Sequence, residues 1–228
     1  MNERSQHDNS LQANGAVLFS PAEAQQRLRD RLSFELPDNV FDAPIWPPQG
    51  DHALNPDLDT NPVAAKAAAV LVPLVAHHDG VHVLLTLRTS KLRNHAGQIA
   101  FPGGRMDPDD RSPVDTALRE TAEEIGLTAN VIDVGGYLDP YQSGTGYRII
   151  PVVAMVHPGQ ELQLNPHEVD DAFEVPLSFL MEQSNHVRHR WERDGVMRES
   201  WAMPYGERFI WGVTAGIIRH MWERLYRP

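Results

Sequence analysis

The chain has 228 residues, 41% of them hydrophobic and 22% charged: the composition is that of a packed protein, and the length suits one full domain with an extension or two small domains. Twenty basic residues against thirty-one acidic ones give a net charge of -11, which disfavours non-specific nucleic-acid binding, and no apolar run reaches the ~18 residues of a membrane span. Cysteine is absent, which excludes disulfides, thiolate metal ligands and a cysteine nucleophile; with a polar start, Met1 to Asn14, that lacks a secretory signal, a cytoplasmic protein is expected.

Residues 1–62 read as an extension. Ser20 followed by Pro21 is a helix start, and a helix is expected over Pro21 to Leu32. The stretch from Pro44 to Pro62, with Pro47, Pro48 and Pro56, reads as an irregular connector. The main domain is expected over residues 63–228. Ala68 to Ala76 and Val81 to Arg88 are apolar runs joined by Asp79-Gly80, a hairpin signal. A loop with Gly97, Pro102, Gly103 and Gly104 follows, then a helix. Further strands are expected at Asn130 to Leu138, Arg148 to Val156, Val187 to Trp191 and Met197 to Met203, the last two joined by a hairpin at Asp194-Gly195. The segment Asp139 to Tyr147, rich in Gly, Ser and Tyr, is a candidate substrate loop. A closing helix runs from Val213 to Tyr226. Mixed strands and helices with hairpins predict an α/β sandwich around a mixed sheet.

Between Leu84 and Arg105 stand Arg88, Lys91, Arg93 and Arg105 with no acidic residue, a patch suited to a small anionic substrate. The helix that follows has clear ends: Ser112 as cap, Pro113 in the first position, Asp115 three residues on, and Gly126 as stop. Val114, Ala117, Leu118, Thr121, Ala122 and Ile125 form one helical stripe, which is expected to be buried. Glu120, Glu123 and Glu124 are then expected on the exposed side, close enough to repel by a few tenths of a kcal/mol per pair. They also stand near the negative end of the helix dipole. Such a cluster makes sense around a divalent cation with a preference for oxygen, Mg²⁺ or Mn²⁺.

Gly103-Gly104, Asp110 and the run Arg119-Glu120-x-x-Glu123-Glu124-x-Gly126-Leu127 together resemble the Nudix box. Asp110 stands at its first acidic position, where glutamate is usual, and one extra residue separates it from Arg119. Thr121 replaces an apolar residue. The resemblance implies a Nudix-type α/β/α sandwich in which Glu120 and Glu124, with Glu123, hold the metal. Arg119 would brace a glutamate, and Glu168 would serve as general base or further ligand. The implied reaction is attack of water on a pyrophosphate. The block from Leu84 to Gly104, with Leu84-Leu85-Thr86, Arg88 and Phe101-Pro102-Gly103-Gly104, is similar to the coenzyme A pyrophosphatase subgroup, and the two motifs together span residues 84–127. Coenzyme A carries a pyrophosphate and a 3′-phosphate, a polyanion that Arg88, Lys91 and Arg93 would suit, while Gly103 and Gly104 would let backbone approach the phosphates. Two alternatives stay open: hydrolysis of ADP-ribose or another nucleoside diphosphate derivative, and a non-catalytic binding module.

Overall fold

Two strands with apolar side chains on both faces set the architecture, because each has to be covered from both sides. The computed structural model describes residues 12–13, 16–41, 49–58, 65–91, 95–193 and 195–227. Pro44, Pro47, Pro48 and Pro62 of the expected connector, Arg93 and Asp194 lie outside them. In chain order, a small ladder of β1 (Gln12–Ala13) and β2 (Ala16–Val17) precedes α1 (Pro21–Arg31). The hairpin of β3 (Lys66–His77) and β4 (Gly80–Arg88) follows, with His77 opposite Gly80. The expected loop then contains two short strands, β5 (Ile99–Ala100) and β6 (Gly103–Arg105). Next come α2 (Pro113–Ile125), β7 (Ile132–Tyr137), β8 (Tyr141–Gln142), β9 (Tyr147–Val156) and β10 (Val169–Pro176). The remaining elements are α3 (Leu177–Met181), β11 (Val187–Arg193), β12 (Val196–Tyr205), β13 (Arg208–Trp211) and α4 (Val213–Met221), which runs on as one wider turn over Trp222–Tyr226.

The main sheet has the order β10-β4-β3-β9-β7. Its inner pair, β3 and β9, is parallel and the other pairings are antiparallel. Along β3 the side chains alternate: Ala69, Leu71 and Val75 join Ala117 and Ile125 of α2 in one core, while Val72 and Leu74 join Leu28 of α1 and Ile217 of α4 in the other. The result is the expected α/β/α sandwich around a mixed sheet. β11, β12 and β13 form a second, antiparallel sheet against which α4 packs. Among the described residues no helix is long and apolar enough to cross a membrane.

The first part of the chain is tied into this body. Ala24 and Leu28 of α1 are core residues, and Arg27 donates to the Leu225 carbonyl at 2.7 Å. The Asp51 carboxylate accepts from the Tyr141 hydroxyl and from the Gly144 amide, both at 2.7 Å. Buried Arg148 donates to the Val40 carbonyl at 2.9 Å and to Gln142 at 3.2 Å. The Gly-, Ser- and Tyr-rich segment is therefore pinned: Tyr141 and Ser143 are buried, and β8 pairs with β9.

Leu28 is 2% exposed, so truncation leaves a cavity under α1. Leu28→Ala is expected to lower unfolding free energy by about 2–5 kcal/mol in urea titrations. An unchanged midpoint would mean that α1 adds nothing to the stability of the body.

Candidate active site

The site forms where α2 crosses the short strand β6. β6 pairs with β3 through Ala69 opposite Gly104 and Val70 opposite Gly103. Gly103 has φ +149°, and a Cβ there would stand 2.5 Å from the Ala69 carbonyl oxygen, so only glycine fits. At Gly104 a Cβ would meet the Glu120 carboxylate at 2.6 Å. The bare backbone of β6 is thus what makes room for α2's carboxylates.

This corrects the expected orientation of α2. The ends are as expected: Ser112 Oγ accepts from the Asp115 amide at 3.1 Å, Pro113 opens the helix and Gly126 ends it in the left-handed region. Ala117, Thr121 and Ile125 of the expected stripe are buried and Val114 and Leu118 pack on the same core, but the buried face also includes Thr116 and Glu124, and Ala122 is exposed. Glu124 is only 3% exposed and Glu120 is half-buried, whereas the Glu123 side chain is 55% exposed. Polarity suggested an outward-facing trio. A glycine strand opposite the helix instead lets two of the three turn inward.

Arg119 organises the cluster. Its Nε and Nη2 donate to the two oxygens of Asp110 at 3.1 and 2.9 Å, and its Nη1 reaches Glu120 at 2.9 Å and Glu123 at 3.3 Å. Asp110 also accepts from the Thr116 hydroxyl at 2.8 Å and the Asp107 amide at 2.9 Å. The Arg119 hydrogen bonds hold the Asp110 carboxyl well below the usual carboxylate range, and the same contacts raise Arg119 further. The extra residue and the shorter side chain at the first acidic position are therefore accommodated, because Asp110 still meets Arg119 with both oxygens. Asp110 was expected only as a motif position; its spacing from Arg119 was the signal for this role.

Glu124 lies deepest. Its Oε1 is 3.6 Å from Arg88 Nη1, and its buried Oε2 has no hydrogen-bond partner, nor has Arg88 Nε. Burial pushes the Glu124 carboxyl up to about 8; the Arg88 charge and the Gly103 amide oppose this, while Glu120 and Glu168 add to it. Burial likewise raises Glu120, against the pull of Arg119. Glu168 is half-buried in the loop before β10, where its carbonyl accepts from the Thr89 amide at 2.9 Å. The structure thus brings Arg88, Gly103, Gly104, Arg119, Glu120, Glu123, Glu124 and Glu168 to one place. Lys91 is exposed on the turn after β4, and Arg93 lies outside the described residues.

The donor set fits a hard divalent cation. A buried carboxylate oxygen without a partner costs about 1–3 kcal/mol, and several carboxylates on one patch are an oxygen-ligand set. Arg119 Nη1 bridges Glu120 and Glu123, and Arg88 faces Glu124, so an arginine nitrogen stands at one oxygen of each of these glutamates; among the described residues the glutamates form no three-residue group of ligand atoms within 4.8 Å of one another.

A family model for the NUDIX domain matches residues 65–198. NudL of Yersinia pestis (strain Pestoides F), an uncharacterized Nudix hydrolase, is 41% identical over 160 residues, 70% of this chain and 80% of that protein. The same figures hold for NudL of Yersinia pseudotuberculosis serotype O:1b (strain IP 31758). Among solved structures, the Nudix domain of Shewanella oneidensis NrtR, complexed with ADP ribose, has 20% identity and a TM-score of 0.46 over 71% of this chain and 89% of that one, too distant a likeness to argue from. The chain belongs to the Nudix hydrolase family, whose members generally use divalent metals.

Unfolded chain ionises Glu124 near 4.5 but the folded protein only near 8, so the unfolded state holds fewer protons between these values. Stability from this group is full below the lower value and is lost as pH rises through the window. With chelator present, Glu124→Gln is expected to gain in thermal midpoint relative to wild type between about pH 5 and about pH 8. A difference that stays constant across that range would place an ionised Glu124 in the folded protein throughout.

Proposed function

We propose that the chain hydrolyses the pyrophosphate bond of coenzyme A or its acyl or oxidised derivatives, with Mg²⁺ or Mn²⁺. The products are 3′,5′-ADP and 4′-phosphopantetheine or its acylated form. The reading rests on one juxtaposition: buried Glu124 and half-buried Glu120 lie at the glycine strand, with Arg88 at the end of β4 facing Glu124. In this reading Glu120 and Glu124, supported by Glu123, hold the metal, which supplies charge neutralisation on the pyrophosphate and an activated water. Arg119, clamped by Asp110, positions Glu120 and favours its charged form against the effect of burial. Glu168 is close enough to Glu120 and Glu124 to act on them electrostatically and takes the proton from the attacking water. Arg88, facing Glu124, meets the pyrophosphate. Lys91 and Arg93, further along the chain, serve the 3′-phosphate. The unit carrying this activity is residues 63–228, with residues 1–62 as its extension.

The direct test is product analysis after incubation with coenzyme A, with and without Mg²⁺ or Mn²⁺. Metal-dependent release of 3′,5′-ADP is expected, and Glu120→Gln or Glu124→Gln should each lower kcat by roughly a hundredfold or more with the fold retained. Cleavage of ADP-ribose but not coenzyme A would keep the site and discard the substrate. Wild-type rates in both variants would sink the metal assignment.

Arg88 has a separate signature. Since it stands 3.6 Å from Glu124, Arg88→Ala should lower kcat/KM by roughly 10- to 100-fold, equally for coenzyme A and its 3′-dephospho form. A selective loss with coenzyme A would move Arg88 to the 3′-phosphate.

A further inference from the structure

At the other end of β4, three neighbouring strands bring two histidines and a glutamate to one point. His77 ends β3, His82 stands on β4 just past the hairpin turn, and Glu174 stands on β10. The register places Val75 opposite His82 and Glu174 opposite Leu84. His77 Nε2 is 2.5 Å from Glu174 Oε2, and His82 Nδ1 is 3.3 Å from the same oxygen. The two rings are 5.0 Å apart and tilted by 53°. One ligand atom from each of the three residues lies within 4.8 Å of the other two.

Side chains at these positions leave the sheet on the α2 side, since Val75 and Leu84 belong to the core under α2. His82 and Arg88 are six residues apart on β4, so the group stands about 20 Å from the glutamate site. Its side chains are 27–32% exposed: the sheet forms its floor and solvent reaches its top.

We propose that His77, His82 and Glu174 form a second metal site, selective for a first-row transition ion of the Zn²⁺ class. Neutral imidazole is a borderline-soft donor that suits Zn²⁺, Ni²⁺ and Cu²⁺, whereas an all-carboxylate set suits Mg²⁺ and Mn²⁺. The chain therefore carries two donor sets of different softness at opposite ends of one strand. Here His77 ligates through Nε2 and His82 through Nδ1, each with its other ring nitrogen protonated, and Glu174 contributes a carboxylate oxygen. Three protein ligands leave a fourth position to water. Three strands paired side by side hold the ligands, so little ordering is needed on binding, and the ion ties β3, β4 and β10 together. This site is independent of the proposed reaction.

The test is titration of the full chain, stripped of metal by chelator, with Zn²⁺ followed by calorimetry, and with Co²⁺ followed by its visible absorption. Wild type and Glu124→Gln are expected to show the same tight Zn²⁺ site. His77→Ala/His82→Ala should lose it, with binding weakened at least roughly a hundredfold, and Glu174→Gln should weaken it by roughly tenfold or more. At a hundredfold excess over the dissociation constant, Zn²⁺ should raise the thermal midpoint by roughly 5–10 °C in wild type but not in the double variant. His82→Gln, which keeps a polar side chain of similar size, covers the case of a misfolded double variant and should also lose tight binding. Undiminished Zn²⁺ binding by a folded His77/His82 variant, or its loss in Glu124→Gln alone, would overturn the proposal.

Discussion

Burial of carboxylates against a strand that opens with two glycines is the constraint on which the site is built. Gly104 admits Glu120, and the inward turn of α2 carries Glu124 under the surface, where one oxygen finds no protein partner. In a purely structural helix such a residue would be replaced, because an unpaired buried acid raises the energy of the folded state. Its neighbours compensate only in part: Arg88 approaches to 3.6 Å, while Arg119 is committed to Asp110, Glu120 and Glu123. The remaining deficit is what a cation would relieve. Since the Glu124 carboxyl is held up to about 8 by burial, cation capture near neutrality would expel a proton as well as occupy a site.

β3 and β9 are the elements that hold α2 and β6 in place. β6 is anchored edge-on to β3 through two glycines, and α2 rests its Ala117 and Ile125 on the alternate residues of β3 and β9. The C-terminal carbonyls of α2 are satisfied by the loop that leads to Glu168: the Gln163 and Asn165 amides reach Ile125 and Glu124, each at 2.9 Å. The same loop is tied to β4 through the contact between Thr89 and Glu168. The end of α2, the loop that carries Glu168 and the end of β4 are thereby one connected hydrogen-bonded unit.

What was legible in the sequence was local. Ser20-Pro21, Ser112-Pro113 and Gly126 announce helix ends because capping is settled within a few residues. The β3–β4 hairpin and the β11–β12 pair are legible for the same reason. The rotation of α2 was not, since it depends on β6, which lies outside the helix and reads as a glycine loop. β10 is not legible because Asp170, Asp171 and Glu174 break its apolar pattern; among the described residues it pairs with β4 alone and stands at the edge of the sheet. The glutamate cluster could be found from spacing along one helix, but the cluster at the far end of β4 could not. Its two histidines face each other across a turn, and Glu174 arrives 97 residues after His77.

The parallel pairing of β3 with β9 also governs how the chain must assemble. The β3–β4 hairpin closes over a two-residue turn, whereas Lys66 finds Tyr147, its partner in β9, only after β5 through β8 and α2 have been accommodated. Closing so long a loop is slow relative to closing a hairpin. In the interval β3 has one open edge and apolar side chains on both faces, the combination most prone to pairing with another chain. A chain made from its N-terminus passes through this state before β9 emerges, so docking of β9 competes with self-association during that interval.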